Sequence, residues 1–215
     1  MKKIIALSIV CLSSIVVFGQ KKFNLGLQAS PNLSWVKSDI LDSENKVGLK
    51  FNYGLITEIQ LAENYLLSTG IGHGYDGGKL TAELKEDTTS AIQVDYAAQF
   101  INIPFMLKMR TKEIGYMRYF ALFGITTGIK VGETITSEEY QDKIETDVNY
   151  INLFKASLSI GVGAEYSLGG DTRFMAGLIF NNNFTNMLDK DNSLLMESAS
   201  KNAFSNVALT VGILF

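Results

Sequence analysis

The stretch from Phe154 to Leu168 alternates strictly between two kinds of side chain. Phe154, Ala156, Leu158, Ile160, Val162, Ala164, Tyr166 and Leu168 fall on one face, and Lys155, Ser157, Ser159, Gly161, Gly163, Glu165 and Ser167 on the other. A period of two belongs to a β-strand whose faces meet different surroundings. The pattern recurs over Phe23–Leu33, Val47–Leu61, Tyr65–Tyr75, Tyr119–Val131, Phe174–Phe180 and Val207–Phe215. Ile92–Met109 alternates too, but its apolar set passes from Ile92, Val94 and Tyr96 to Ile101, Ile103, Phe105 and Leu107. That change of phase predicts a β-bulge near Ala97-Ala98.

Eight strands result, each with the roughly 9–11 residues that span a bilayer when tilted. Their connections alternate in length. Short links fall at Ala62–Asn64, Thr111–Gly115 and Gly169–Asp171, and long ones at about Lys37–Lys46, Asp76–Thr89, Glu133–Asn149 and Asn186–Asn202. An even strand count with short turns at one end and long loops at the other predicts an all-β, eight-stranded antiparallel up-and-down transmembrane barrel. Both termini then lie on the periplasmic side.

A lipocalin-like barrel also alternates, but it buries its apolar set and wets its polar set. The distribution of charge separates the two. Lys50, Glu58, Lys108, Lys130, Lys155, Glu165 and Arg173 all sit on the polar face, and the clear strands carry no charge on the apolar one. Lys or Arg facing lipid at the midplane costs roughly 2–4 kcal/mol. The polar face is also rich in Gly and Ser, which suit a crowded lumen, where the seven ionisable residues form a structural charge network. Aromatic residues gather in two belts. Phe51, Tyr53, Tyr75, Tyr150, Phe180 and Phe204 lie towards the long loops, and Phe23, Tyr65, Tyr119, Tyr166, Phe174 and Phe215 towards the short turns.

The N-terminus reads as an export signal over residues 1–19, followed by the barrel over 20–215. Lys2 and Lys3 precede an apolar run from Ile4 to Phe18, and cleavage is expected near Gly19–Gln20. The only cysteine, Cys11, lies inside this signal, so the mature chain has no thiol for disulfides or thiolate metal sites. The last strand places Leu209, Val211, Ile213 and the terminal Phe215 on one face, the pattern of an assembly signal for the barrel-insertion machinery.

Three features carry a family resemblance: the export signal, the opening strand Phe23-Asn24-Leu25-Gly26-Leu27-Gln28-Ala29-Ser30-Pro31-Asn32, and Ile101-Asn102-Ile103-Pro104-Phe105-Met106-Leu107-Lys108. The chain resembles PorT-type outer-membrane β-barrel proteins of Bacteroidetes over nearly all of its mature length. The resemblance implies the barrel fold and an association with protein secretion. Its motifs mark architecture rather than activity.

Chemistry is sparsely encoded. The only histidine, His73, stands near Asp76 in Gly72-His73-Gly74-Tyr75-Asp76-Gly77-Gly78, but no motif singles out a serine nucleophile beside them. Gly70-Ile71-Gly72-His73-Gly74 lacks the Lys-Ser/Thr ending and the helix of a phosphate loop. The residues therefore point to no catalytic site, no cofactor and no metal centre. The four long loops hold 16 Asp/Glu against 7 Lys/Arg, an excess that disfavours nucleic acid. It suits solvation, or weak bridging by divalent cations to anionic lipid. Expected partners are outer-membrane lipid and a protein met through loops 133–149 or 186–202. A barrel of this size fills its lumen with side chains, which favours a structural or interaction role over a narrow, porin-like pathway or a lipid-modifying enzyme.

Overall fold

In the computed structural model the described residues are 23–38, 47–83, 91–137, 150–187 and 202–215. They form eight strands: β1 (Phe23–Ser38), β2 (Gly48–Ala62), β3 (Tyr65–Glu83), β4 (Ala91–Arg110), β5 (Met117–Ser137), β6 (Phe154–Gly169), β7 (Thr172–Asn183) and β8 (Asn202–Leu214). Each pairs antiparallel with the next, and β1 pairs with β8, so the sheet closes. The seam is fastened by Leu25 N–H to Phe215 O (3.2 Å) and Phe215 N–H to Leu25 O (2.7 Å). Closure leaves no unpaired edge along the wall. Gly169 and Gly170 take positive φ (111° and 60°) in the turn between β6 and β7, which an L side chain rarely adopts.

The two faces have exchanged the usual roles of inside and outside. Leu27, Leu49, Val162 and Leu178 are more than half exposed on the outer wall, while Glu58, Lys108 and Glu165 are at most 1% exposed in the lumen. A continuous apolar outer surface of this extent requires an apolar solvent. The lipid-facing alternation is therefore the one the chain adopts, and the lipocalin-like arrangement is not.

Four expectations change. The strands run from 12 to 21 residues, because several continue past the apolar belt on the long-loop side. β3 and β4 remain paired out to Glu83↔Ala91, and β4 and β5 out to Val94↔Ser137, so parts of the expected loops 76–89 and 133–149 are strand. The phase change lies in β5, not near Ala97-Ala98. Gln99 pairs with Gly132 but Phe100 with Lys130, leaving Val131 as the extra residue. β4 keeps one phase, with Val94, Tyr96, Ala98 and Phe100 buried inside like Met106 and Lys108. The side chain of Ile92 lies outside the described residues. In the aromatic belts, Tyr150 and Phe204 turn inward and are buried, whereas Phe51, Tyr53, Tyr75 and Phe180 face outward. Outside the apolar belt water bathes the wall, so apolar side chains there move to the interior.

Candidate functional site

Among the described residues the interior is the lumen, and it is filled in three levels. At the short-turn end the Lys108 ammonium donates to Glu58 Oε1 (2.5 Å) and to Glu165 Oε1. Arg173 Nη2 donates to Glu58 Oε2 (3.3 Å). Arg173 Nε and Arg110 Nη1 lie 3.4 and 3.8 Å from Glu165 Oε2 as ion pairs without hydrogen-bond alignment. Two carboxylates thus face three cations, and Lys108 Nζ also sits 4.3 Å from the centroid of the Phe120 ring. Ile56, Met106, Phe120, Leu122 and Met175 pack as an apolar collar among these groups. Such a cluster repays its desolvation only through many simultaneous partners, and the strands supply them from β2, β4, β6 and β7.

The middle level is polar. Thr126 and Ser159 share a hydrogen bond of 2.8 Å, and Ser159 Oγ–H donates to Asn181 Oδ1 (2.7 Å). The single hydroxyl proton of Ser159 is then committed, so Thr126 is the donor of the first bond. Asn181 Nδ2 donates to Asn206 Oδ1 (2.8 Å), Asn206 Nδ2 to Asp76 Oδ1 (3.0 Å), and Lys155 to Asp76 Oδ2. Lys155 Nζ lies 4.3 Å over the Phe100 ring. Beside this chain is a cavity of about 90 Å³, lined among others by Gln28, Asn52, Asn102 and Asn181. Beside it runs a cross-strand row in which Gly212, Gln28, Gly54, Gly72, Asn102, Gly128 and Lys155 are successive partners. A Cβ on Gly128 would come within 2.6 Å of Lys155 Cε and 2.7 Å of Asn102 Oδ1.

At the long-loop end large apolar side chains take up much of the interior. Val36, Val94, Tyr96, Ile151 and Phe204 are all at most 1% exposed. The β3–β4 extension leans over the opening. Gly77 N–H donates to Ser34 Oγ (3.1 Å), and a Cβ on Gly78 would meet Val36 N at 2.9 Å, so only glycine permits this approach. Residues 150–153 are tied across the mouth. Tyr150 and Ile151 N–H donate to Glu133 (2.8 and 3.1 Å), and Lys130 Nζ donates to Glu133 Oε2 and Ile151 O, both at 2.5 Å.

The seven lumen charges read from the sequence therefore do not form one network. Glu58, Lys108, Glu165 and Arg173 come together, Lys155 joins Asp76 one level higher, and Lys130 joins Glu133 at the mouth. Lys50 lies half-buried near Gly77, with no ion pair among the described residues. Sequence reasoning missed Asp76, Arg110 and Glu133. Asp76 and Glu133 stood in segments assigned to loops, and the inward parity of Arg110 at the end of β4 was the signal for it.

His73 and Asp76 are not brought together. His73 pairs across the strands with the outward Tyr53, and its ring lies between Tyr53 (tilted, centroids 5.5 Å apart) and Tyr75 (edge-on, 5.0 Å). Asp76 is buried in the lumen on Lys155 and Asn206. Leu209, Ile213 and Phe215 are exposed on the outer wall of β8 and its end, and Val211 is partly so. The acidic stretches 39–46, 84–90, 138–149 and 188–201 lie outside the described residues.

Among solved structures, the outer membrane protein OprG of Pseudomonas aeruginosa superposes with a TM-score of 0.54 at 10% identity, covering 92% of this chain and 98% of that one. Neisserial surface protein A gives 0.49 at 8% identity, covering 88% and 95%. Ail, the attachment invasion locus protein of Yersinia pestis, gives 0.41 at 12% identity, covering 90% and 99%. At 10% identity the likeness to OprG speaks for the fold alone. No curated protein matches the sequence. A family model described as outer membrane protein beta-barrel domain matches residues 18–189. With a closed eight-stranded wall, an apolar exterior and a charged, filled lumen already in place, that match makes this chain a member of the outer membrane protein β-barrel domain family.

Proposed function

We propose that the chain is a non-enzymatic outer-membrane barrel with a structural or interaction role, which meets a protein partner through loops 133–149 or 186–202. The observation that carries this reading is the filled lumen. Apolar packing at the mouth and the Glu58–Lys108–Glu165–Arg173 cluster at the other end leave about 90 Å³ between them. The cluster is structural, cross-linking four strands. The chain is of the PorT type found in Bacteroidetes, linked to secretion or envelope function. It is exported by residues 1–19, inserted through the signal Leu209, Val211, Ile213 and Phe215, and leaves both termini in the periplasm.

Single-channel recording in planar bilayers tests the role. The expected outcome is no defined conductance step from a barrel whose gel mobility changes on heating. A second reading, a narrow porin-like path, draws on the polar cavity, and reproducible steps abolished by blocking that cavity would establish it instead. Crosslinking in whole cells, followed by deletion of residues 138–147, then tests the partner. The crosslinked band should vanish while the heat-dependent mobility persists.

A further inference from the structure

The single histidine of the chain sits in the outer wall rather than in the lumen, at the head of a groove. Leu27, Leu55, Ile71 and Ile101 flank this groove, and the backbone of Gly54 and Gly72 lies at its base. Its volume is about 430 Å³. Tyr53 and Tyr75 hold the His73 ring on two sides, and His73 Nδ1 is buried without a hydrogen-bond partner. An orphaned buried donor is rarer and costlier than an orphaned acceptor. With the proton on Nε2, which leaves Nδ1 its lone pair, the imidazole is a hydrogen-bond donor.

Depth identifies the acceptor. Tyr65 and Tyr75 are both exposed on β3, one at each end of the apolar belt. Ten residues at about 3.4 Å, tilted by about 40°, separate them by about 26 Å, the height of the apolar band of such barrels. His73 stands two residues, about 5 Å, inside the outer girdle, within a side chain's length of the ester groups that lie at the height of the girdle. Below it the groove descends along Leu55 and Ile71 into the hydrocarbon.

We propose that this groove is a specific site for an acyl-ester lipid of the outer leaflet. One acyl chain lies along Leu27, Leu55 and Ile71, and its ester carbonyl accepts a hydrogen bond from His73 Nε2–H. The proposal concerns the wall; it rests on the orientation proposed above, with the termini in the periplasm, and not on the role assigned to the loops.

The test uses the full barrel in vesicles of phosphatidylethanolamine and phosphatidylglycerol doped with a phospholipid bearing a diazirine in one acyl chain. Peptides containing Leu55 and Ile71 should be photolabelled roughly three- to tenfold above those containing Val162 and Leu178 on the opposite wall, the preference one hydrogen bond supplies. His73→Phe keeps a ring between the tyrosines but removes the donor, and should bring labelling down by that factor. Ile71→Trp fills the groove and should abolish the enrichment, with heat-dependent gel mobility reporting that both variants remain folded. Uniform labelling around the barrel, or an enrichment unchanged by His73→Phe, would overturn the proposal.

Discussion

At the short-turn end of the lumen Lys108 is held between Glu58 and Glu165, with Arg173 and Arg110 completing the cluster. At the long-loop end Val36, Tyr96, Ile151 and Phe204 close the same lumen by apolar packing. The difference follows from what lies outside the wall at each height. Within the bilayer most apolar residues are drawn outward by lipid, and the polar groups left inside, set among the collar of Ile56, Met106, Phe120, Leu122 and Met175, must satisfy one another. Beyond the bilayer water surrounds the wall, and large apolar side chains enter the interior beside the polar ones. The ion cluster joins four strands around the barrel, so its loss should be felt by the whole wall. The mouth is held by extensions and by the segment 150–153, so its loss should stay local.

The largest expected effect comes from Lys108→Met. It leaves Glu58 and Glu165 facing each other in a buried site, and breaking a buried ion pair on one side costs about 3–5 kcal/mol. Equilibrium unfolding in urea from lipid vesicles should register most of that loss, and the temperature at which the fast-migrating band disappears should fall. A change below about 1 kcal/mol would mean that Arg173 takes over the ammonium's place, and the cluster would not be the girdle inferred for it.

Next in size is the mouth. Ile151→Ala removes a side chain that is 1% exposed, and should cost about 2 kcal/mol, the lower end of such truncations, because the segment can collapse. This is roughly thirtyfold in local opening. Limited proteolysis of the strand extensions should accelerate accordingly, while the urea midpoint of the barrel stays near that of the parent. If the midpoint falls as far as it does for Lys108→Met, the two ends form one cooperative unit and the contrast between them fails.

The same contrast explains how far the sequence could be read. Strand number, order and the inward side of Glu58, Lys108, Glu165 and Arg173 were legible because lipid imposes a single rule on every residue at that depth. Alternation in Tyr119–Val131 and Phe154–Leu168 needed no tertiary information. The mouth was not legible, because the rule reverses there without any mark in the sequence. Val94 and Tyr96 look lipid-facing if the bilayer is assumed to continue, and the bulge was then sought in β4 when the extra residue is Val131 in β5. Asp76 falls at the start of the expected long loop, beside Gly77-Gly78. Those glycines are in fact needed where β3 approaches Ser34 and Val36, and that contact is between residues far apart in the chain. The grouping of charges into separate levels was equally out of reach, since it depends on cross-strand register.

The smallest effect is expected from the same pair of residue types in water. Lys112 and Glu63 face each other across two short turns, with Nζ and Oε1 3.7 Å apart and both side chains 78% exposed. Here the charges keep their hydration, salt screens them, and holding two long side chains together costs rotamer entropy, so such pairs contribute about 0–1 kcal/mol. Lys112→Ala should leave the urea midpoint and the gel transition within error of the parent, and whatever small shift remains should shrink further when salt is raised. Lys108→Met should respond little to salt, because the cluster is buried and ions do not reach it. Measuring both variants at low and high salt therefore separates burial from charge. If Lys112→Ala proves as costly as Lys108→Met, the strength of the lumen cluster does not come from its seclusion, and the division of the barrel into a paired interior and a wet rim has to be redrawn.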